Sequence, residues 1–138
     1  MASPFGKILL ITGNSEFEAD RTRRRAVATV MDTQPECQLT ESGASGLQPG
    51  ELIGLTSASL FSDATAVVLS DLQDLPDHAQ TELLAYAVDP SPDVAVVLVH
   101  GGGQKGRGLL DKLRAMPAVS EVKVEQPKYE RDYAGWVQ

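Results

Sequence analysis

Three uninterrupted apolar runs constrain the fold of this chain more than any other feature: Ile8-Leu9-Leu10-Ile11, Ala66-Val67-Val68-Leu69 and Val94-Ala95-Val96-Val97-Leu98-Val99. A strand with one face in water alternates apolar and polar residues. A strand that is apolar throughout is buried on both faces, as in a parallel sheet with helices above and below. Helix signals fill the gaps between the runs. Gly13-Asn14 stops the first run, and Ser15-Glu16-Phe17-Glu18 has the spacing of a capping box, which predicts a helix to about Met31. Pro35 closes that region, and residues 37–41 read as a second strand. Residues 43–50 form a loop, and a helix follows over about 51–58. Pro76-Asp77 opens a helix whose Ala79, Leu83, Leu84, Ala87 and Val88 share one face, and Asp89-Pro90-Ser91-Pro92 stops it. The 94–99 run, the most apolar, belongs at the centre of the sheet. A glycine-rich turn, 101–108, leads into a helix over about 109–116. Residues 119–125 then alternate, as an edge strand does. The alternation of strand and helix predicts an α/β, three-layer parallel sheet of about five strands.

The chain has 138 residues, enough for one domain with a real core, and a formal net charge of −7. That charge excludes a surface built to hold a nucleic-acid backbone by itself, which needs a basic face. The cluster Arg21-Thr22-Arg23-Arg24-Arg25 reads as a solvated helix face or as a local nucleic-acid contact. One cysteine, Cys37, excludes an intrachain disulfide and a cysteine-cluster metal site. His78 and His100 lie far apart, which argues against a histidine metal site. The first apolar run is too short for a signal peptide, and no stretch reaches membrane-spanning length; together these predict a cytoplasmic location and no membrane partner.

A glycine after the first strand of such a sheet raises the question of a phosphate-binding loop, G-x-x-x-x-G-K-[ST]. Counted from Gly13, its second glycine is Glu18, its lysine Ala19 and its hydroxyl residue Asp20. Acids stand where phosphate would need cations and amides, so the site would repel a polyphosphate. The second glycine-rich stretch is a near miss: from Gly101 it places Gly106, then Arg107 for the lysine and Gly108 for the hydroxyl residue. Lys105 and Arg107 could still grip an anion at the start of a helix. Asp71, at the end of an apolar strand, stands where a nucleotide hydrolase holds magnesium; without a lysine loop opposite, it reads as a turn cap. The layout is that of a nucleotide hydrolase with its catalytic positions emptied, and no cofactor is expected.

Two apolar features remain. Thr56-Ser57-Ala58-Ser59-Leu60-Phe61 ends in a large apolar pair just before the third strand. Burying each of those side chains is worth roughly 1.5–3 kcal/mol. The pair either closes the core or plugs a pocket on another protein. After Pro127, residues Tyr129, Tyr133, Trp136 and Val137 recur at i, i+4, i+7 and i+8. That stripe either docks back on residues 1–126 or starts a second, helical domain.

The stretches Ile8 to Arg21, Ser57-Ala58-Ser59-Leu60-Phe61, Ala66 to Leu69 and Asp93 to Lys112 together resemble the N-terminal domain of the delta subunit of bacterial DNA polymerase III, the clamp-loader wrench. The resemblance spans nearly all of residues 5–127. It implies a P-loop NTPase or AAA+-like fold without a functional phosphate loop, a clamp-binding domain over 1–126, and a tail or start of a second domain over 127–138. It implies that Leu60 and Phe61 enter a hydrophobic pocket of the sliding clamp (the beta subunit), preceded by Ser57, Ala58 and Ser59. The clamp is then opened for loading on primed DNA. The gamma/tau and delta-prime subunits would be met through further C-terminal domains, and DNA only weakly or through the complex. The chain itself would be non-catalytic, within a holoenzyme whose reaction is DNA-directed nucleotidyl transfer. One departure stands out: a glutamine often begins clamp-binding motifs, and here Thr56 or Ser57 takes its place. Two rival readings are a nucleotide-binding phosphotransferase using Gly101–Gly108 and Asp71, and an unrelated α/β interaction domain.

Overall fold

A computed structural model describes residues 5–13, 15–56, 64–101 and 105–124. Five strands, β1 (Lys7–Gly13), β2 (Gln38–Gly43), β3 (Thr65–Ser70), β4 (Val94–His100) and β5 (Val119–Val124), form one sheet in the order β2-β3-β4-β1-β5. Every pairing is parallel. Four helices lie between them: α1 (Glu16–Thr33), α2 (Glu51–Leu55), α3 (Asp77–Val88) and α4 (Arg107–Arg114). The expected three-layer α/β architecture is therefore present. The run with no polar residue before its last position, β4, occupies the middle, and the alternating β5 is an edge.

The two sheet faces pack separately. Ile8, Leu10, Val67, Leu69, Val96 and Leu98 face α2, α3 and α4, where they meet Leu52, Leu83 and Leu113. Ile11, Val68, Val97 and Val124 face α1 and meet Ala19. Near the far end of α1, Val30 packs with Cys37, Ala66 and Ala95. Burying side chains of this size contributes roughly 1.5–3 kcal/mol each, so the two faces supply most of the fold's stability.

Local signals account for most helix boundaries. Ser15 caps α1: its Oγ accepts the Glu18 amide at 3.2 Å. Gly106, at φ 80°, starts α4 two residues earlier than expected, and the buried stripe is Leu109, Leu110 and Leu113. On α3 the row Ala79, Leu83, Ala87 is buried, but Val88 is 73 % exposed. Val88 lies one residue beyond that i, i+4 row, so the turn of the helix carries it off the core. The stretch expected as plain loop, 43–50, contains a 3-10 turn, Ala44–Gly46, whose Ala44 is fully buried with Leu47 behind it. Among the described residues no helix is long and apolar enough to cross a membrane.

Candidate functional site

In a parallel α/β sheet, ligands settle outside the carboxyl ends of the strands, where the strand order reverses. A cleft of ≈ 290 Å³ lies there, bordered by Gly13, Ser15, Glu16, Asp20, Arg23, Asp71, Gln73 and His100 among others. Only Asn14 and Ser15 separate β1 from α1. Gly13 has φ 138°, and a Cβ on it would lie 1.5 Å from the Val124 carbonyl oxygen. The end of β1 is thus pressed against the end of β5, with no length of chain left to cradle a phosphate. The first turn of α1 carries Glu16 and Glu18, which occupy the positive end of the helix dipole that an anion would need.

The cation lining this cleft is already paired. Arg23 bridges Asp20 and Glu41, both at 2.6 Å, and so ties α1 to β2. Its guanidinium holds the Asp20 carboxyl below the usual carboxylate value, and Asp20 in turn raises Arg23. Arg24 also reaches Asp20, at 2.9 Å, and Arg21 lies 3.7 Å from Glu18. Three of the four clustered arginines are therefore neutralised by acids on the protein itself.

The glycine-rich turn is latched in the same way. His100 is buried, and its Nε2–H donates to the Lys105 carbonyl at 2.7 Å. The Gly101 amide donates to Gln73 Oε1 at 2.9 Å. A Cβ on Gly106 would crowd both Gln73 and His100. Lys105 forms an ion pair with Asp74, whereas Arg107 is exposed at the first turn of α4. The two candidate anion contacts are therefore not brought together on one ligand position: one is spent on the turn that follows β3. Asp71 occupies the cap position of that 3-10 turn, at φ 56°, through its backbone; the Asp74 amide donates to its carbonyl, and its side chain makes no cap bond. His78 bonds the Leu47 carbonyl at 3.1 Å, far from His100 in the fold's connectivity. Among the described residues no three His, Cys, Asp or Glu side chains gather as a metal site. Burial raises the Cys37 thiol above its usual value, which disfavours a reactive thiolate.

Sequence reasoning missed this latch. Gln73 and His100 carry no periodic or motif signal; only the C-terminal position of His100 on β4 could have drawn attention to it.

The other candidate, Ser57-Ala58-Ser59-Leu60-Phe61, lies outside the described residues, as do the glycines at 102–103 and the tail from Glu125. The chain leaves α2 at Thr56, which is buried, with its Oγ1 donating to the Leu52 carbonyl at 2.9 Å. It returns at buried Ala64, whose carbonyl accepts the Gln38 amide. Thr56 is therefore spent on helix α2, and of the two candidates for the leading polar contact only Ser57 is left. The amino end of β3, which this segment precedes in sequence, is the end of the strand away from the cleft. Ile53, in the last turn of α2, is 57 % exposed.

No protein-family model and no curated protein sequence matches the chain. Solved structures do. A DNA polymerase III gamma subunit-related protein of Thermotoga maritima superposes with a TM-score of 0.63 at 17 % identity, over 92 % of this chain and 44 % of that one. The Bacillus subtilis DNA clamp loader delta protein gives 0.64 at 14 % identity, over 94 % and 42 %. The Thermotoga maritima RuvB Holliday junction branch migration motor gives 0.56 at 14 % identity, over 86 % and 37 %. The chain shares its fold with these clamp-loader-related and RuvB structures. The chain spans less than half the length of each of these structures.

Proposed function

We propose that residues 1–126 act as the clamp-binding domain of a delta-type clamp-loader subunit, a module that grips a sliding clamp without using nucleotide. The observation that carries this reading is a fold shared with clamp-loader structures, whose cleft at the strand carboxyl ends follows β1 with no phosphate-loop length and has its lining cation Arg23 paired with Asp20 and Glu41. Two sequence features add to it: the Leu60-Phe61 pair before β3 and the absence of a phosphate-loop lysine and hydroxyl.

In this mechanism Leu60 and Phe61 enter an apolar pocket of the ring, with Ser57, Ala58 and Ser59 lying along its rim. Ile53, in the helix that precedes this segment, is exposed and would add to the apolar contact. A few buried aromatic or aliphatic anchors carry most of the energy of such a contact. Binding that favours an open ring over a closed one shifts the clamp towards opening, because a ligand moves an equilibrium only by its differential affinity for the two states. ATP hydrolysis would belong to partner subunits of the gamma/tau kind. Those and a delta-prime-type subunit would be engaged through further domains, in the cytoplasm, during DNA replication. Contact of this domain with DNA would be slight, in line with its net charge of −7.

The test is binding of the domain to a purified bacterial sliding clamp, beside the Leu60→Ala/Phe61→Ala variant. The variant should keep its fold and lose more than ~2 kcal/mol of clamp affinity. Equal binding by both proteins would remove Leu60 and Phe61 from the contact.

A further inference from the structure

The sheet order ends at β5, and no described strand lies beyond it. Successive residues of a strand turn their backbone groups to alternate sides. The Ile8 amide donates to the Ala118 carbonyl at 3.0 Å, so Ala118, Ser120, Val122 and Val124 turn their N–H and C=O groups towards β1. Val119, Glu121 and Lys123 turn theirs away from the sheet. The Val119 amide is taken by the Met116 carbonyl at 3.1 Å. The outward backbone groups of Glu121 and Lys123 bond to none of the described residues. An unpaired row of this kind is a template for another strand.

The side chains of β5 say which strand fits. Val122 is in register with buried Ile11 and shares its α1 face, where it is 37 % exposed. Glu121 and Lys123 lie on the opposite face. Glu121 meets Arg114 and Thr12 there, while Lys123 is exposed and makes no ion pair among the described residues. A second copy of the strand, running antiparallel, can use the outward groups only if outward residues meet outward residues. That condition puts the two-fold axis on a residue. An axis on Glu121 or on Lys123 sets like charges opposite each other, which is destabilising. An axis on Ser120 sets Glu121 against Val119, whose amide is already taken. An axis on Val122 sets each Glu121 opposite the second copy's Lys123, and these are the residues whose backbone groups are unspent. The other edge, β2, offers no such match. Its Gln38 amide faces β3, so its outward residues are Leu39, Glu41 and Gly43, and no axis gives Glu41 a cation.

We propose that two copies of this chain associate through β5, antiparallel about a two-fold axis at Val122, to make one continuous sheet. Glu121 and the second copy's Lys123 form hydrogen-bonded pairs, each exchanging both N–H···O=C bonds. Their side chains pair opposite charges on the α4 face. On the α1 face the two Val122 side chains meet in a non-hydrogen-bonded pair, where strands bring side chains closest. Ile11, Val122 and their symmetry mates then form an unbroken apolar row across the sheet. The same patch serves both copies, as a closed two-fold interface requires.

The contact is small, in the weak class below ~1,200 Å². Sedimentation velocity on the intact chain should therefore run from low micromolar to near-millimolar concentration, and the mean mass should climb from monomer towards dimer. Lys123→Glu sets acid against acid and should weaken the dimer by about tenfold or more, with circular dichroism unchanged. Cross-linking reads the register. With Cα atoms ~4.5 Å apart, Val122→Cys should join two copies by a disulfide on mild oxidation. Lys123→Cys, offset from its own symmetry mate, should not, and the native Cys37 is buried. Three results would overturn the proposal: a chain that stays monomeric over the whole range, a dimer that Lys123→Glu leaves intact, or a Lys123→Cys variant that cross-links as readily as Val122→Cys.

Discussion

At the carboxyl ends of β1, β3 and β4 the polar side chains turn on one another. At the amino end of β3 the chain runs from one buried anchor, Thr56, to another, Ala64, with its large apolar pair in between. The first region has the place of a nucleotide site but spends its groups internally: Arg23 on Asp20 and Glu41, Lys105 on Asp74, His100 on the turn before α4. In the second, the Thr56 hydroxyl is tied back to α2, and Ile53 of the same helix stands exposed. The difference teaches where binding energy can come from. Groups already paired gain little from a new ligand, because each new bond replaces an old one. An apolar side chain taken from water gains its full transfer energy.

The sharpest way to break this comparison is to ask whether the carboxyl end can be reopened. Gly13→Ala should destabilise the domain by more than ~3 kcal/mol, because both the backbone conformation and the approach to Val124 exclude a Cβ. Denaturant unfolding measures it; a mild loss would mean that the close β1–β5 approach at residue 13 yields to a side chain.

A smaller effect is expected where α4, β5 and β1 are tied together. Arg114 meets Glu121 in a two-point contact at 2.9 and 2.8 Å, and the Thr12 hydroxyl donates to the same carboxylate at 2.6 Å. The Arg114 guanidinium, with help from Thr12, holds the Glu121 carboxyl below its usual value. A carboxyl depressed in the folded state contributes stability above its unfolded pKa. That contribution is lost as the pH falls through the folded value. Glu121→Gln should therefore cost about 1–2 kcal/mol near neutral pH and little in acid, where the parent has lost the same interaction. Unfolding curves at neutral and acidic pH check this; a pH-independent difference would mean that packing of residue 121, and not its charge, matters.

The smallest effect should come from Lys105→Ala with Arg107→Ala. Both side chains are exposed, and such ion pairs are worth about 0–1 kcal/mol. Stability and clamp binding should be nearly unchanged in the double variant. ATP binding by the parent that this variant abolishes would revive the phosphotransferase reading.

The strands were legible because burial on both faces writes itself directly into sequence: Val67–Leu69 and Val94–Val99 carry no polar residue, and the structure places both in the interior of the sheet. The start of α4 was not, because its true signal is the left-handed backbone of Gly106 and not an apolar stripe. Val88 misled because one residue of helical rotation separates a buried row from an exposed one. At the cleft, the missing phosphate loop could be read from Glu18 and Asp20. The pairings that fill it could not, since Arg23 with Glu41 and Lys105 with Asp74 join residues distant in sequence and depend on the strand order.

The central claim is a clamp grip that owes nothing to nucleotide. It is tested most directly by titrating a purified bacterial sliding clamp with this domain, with and without magnesium and ATP, by calorimetry. The account predicts saturable binding with the same affinity in both titrations. Binding that appears only with ATP, or no binding in either, would contradict it.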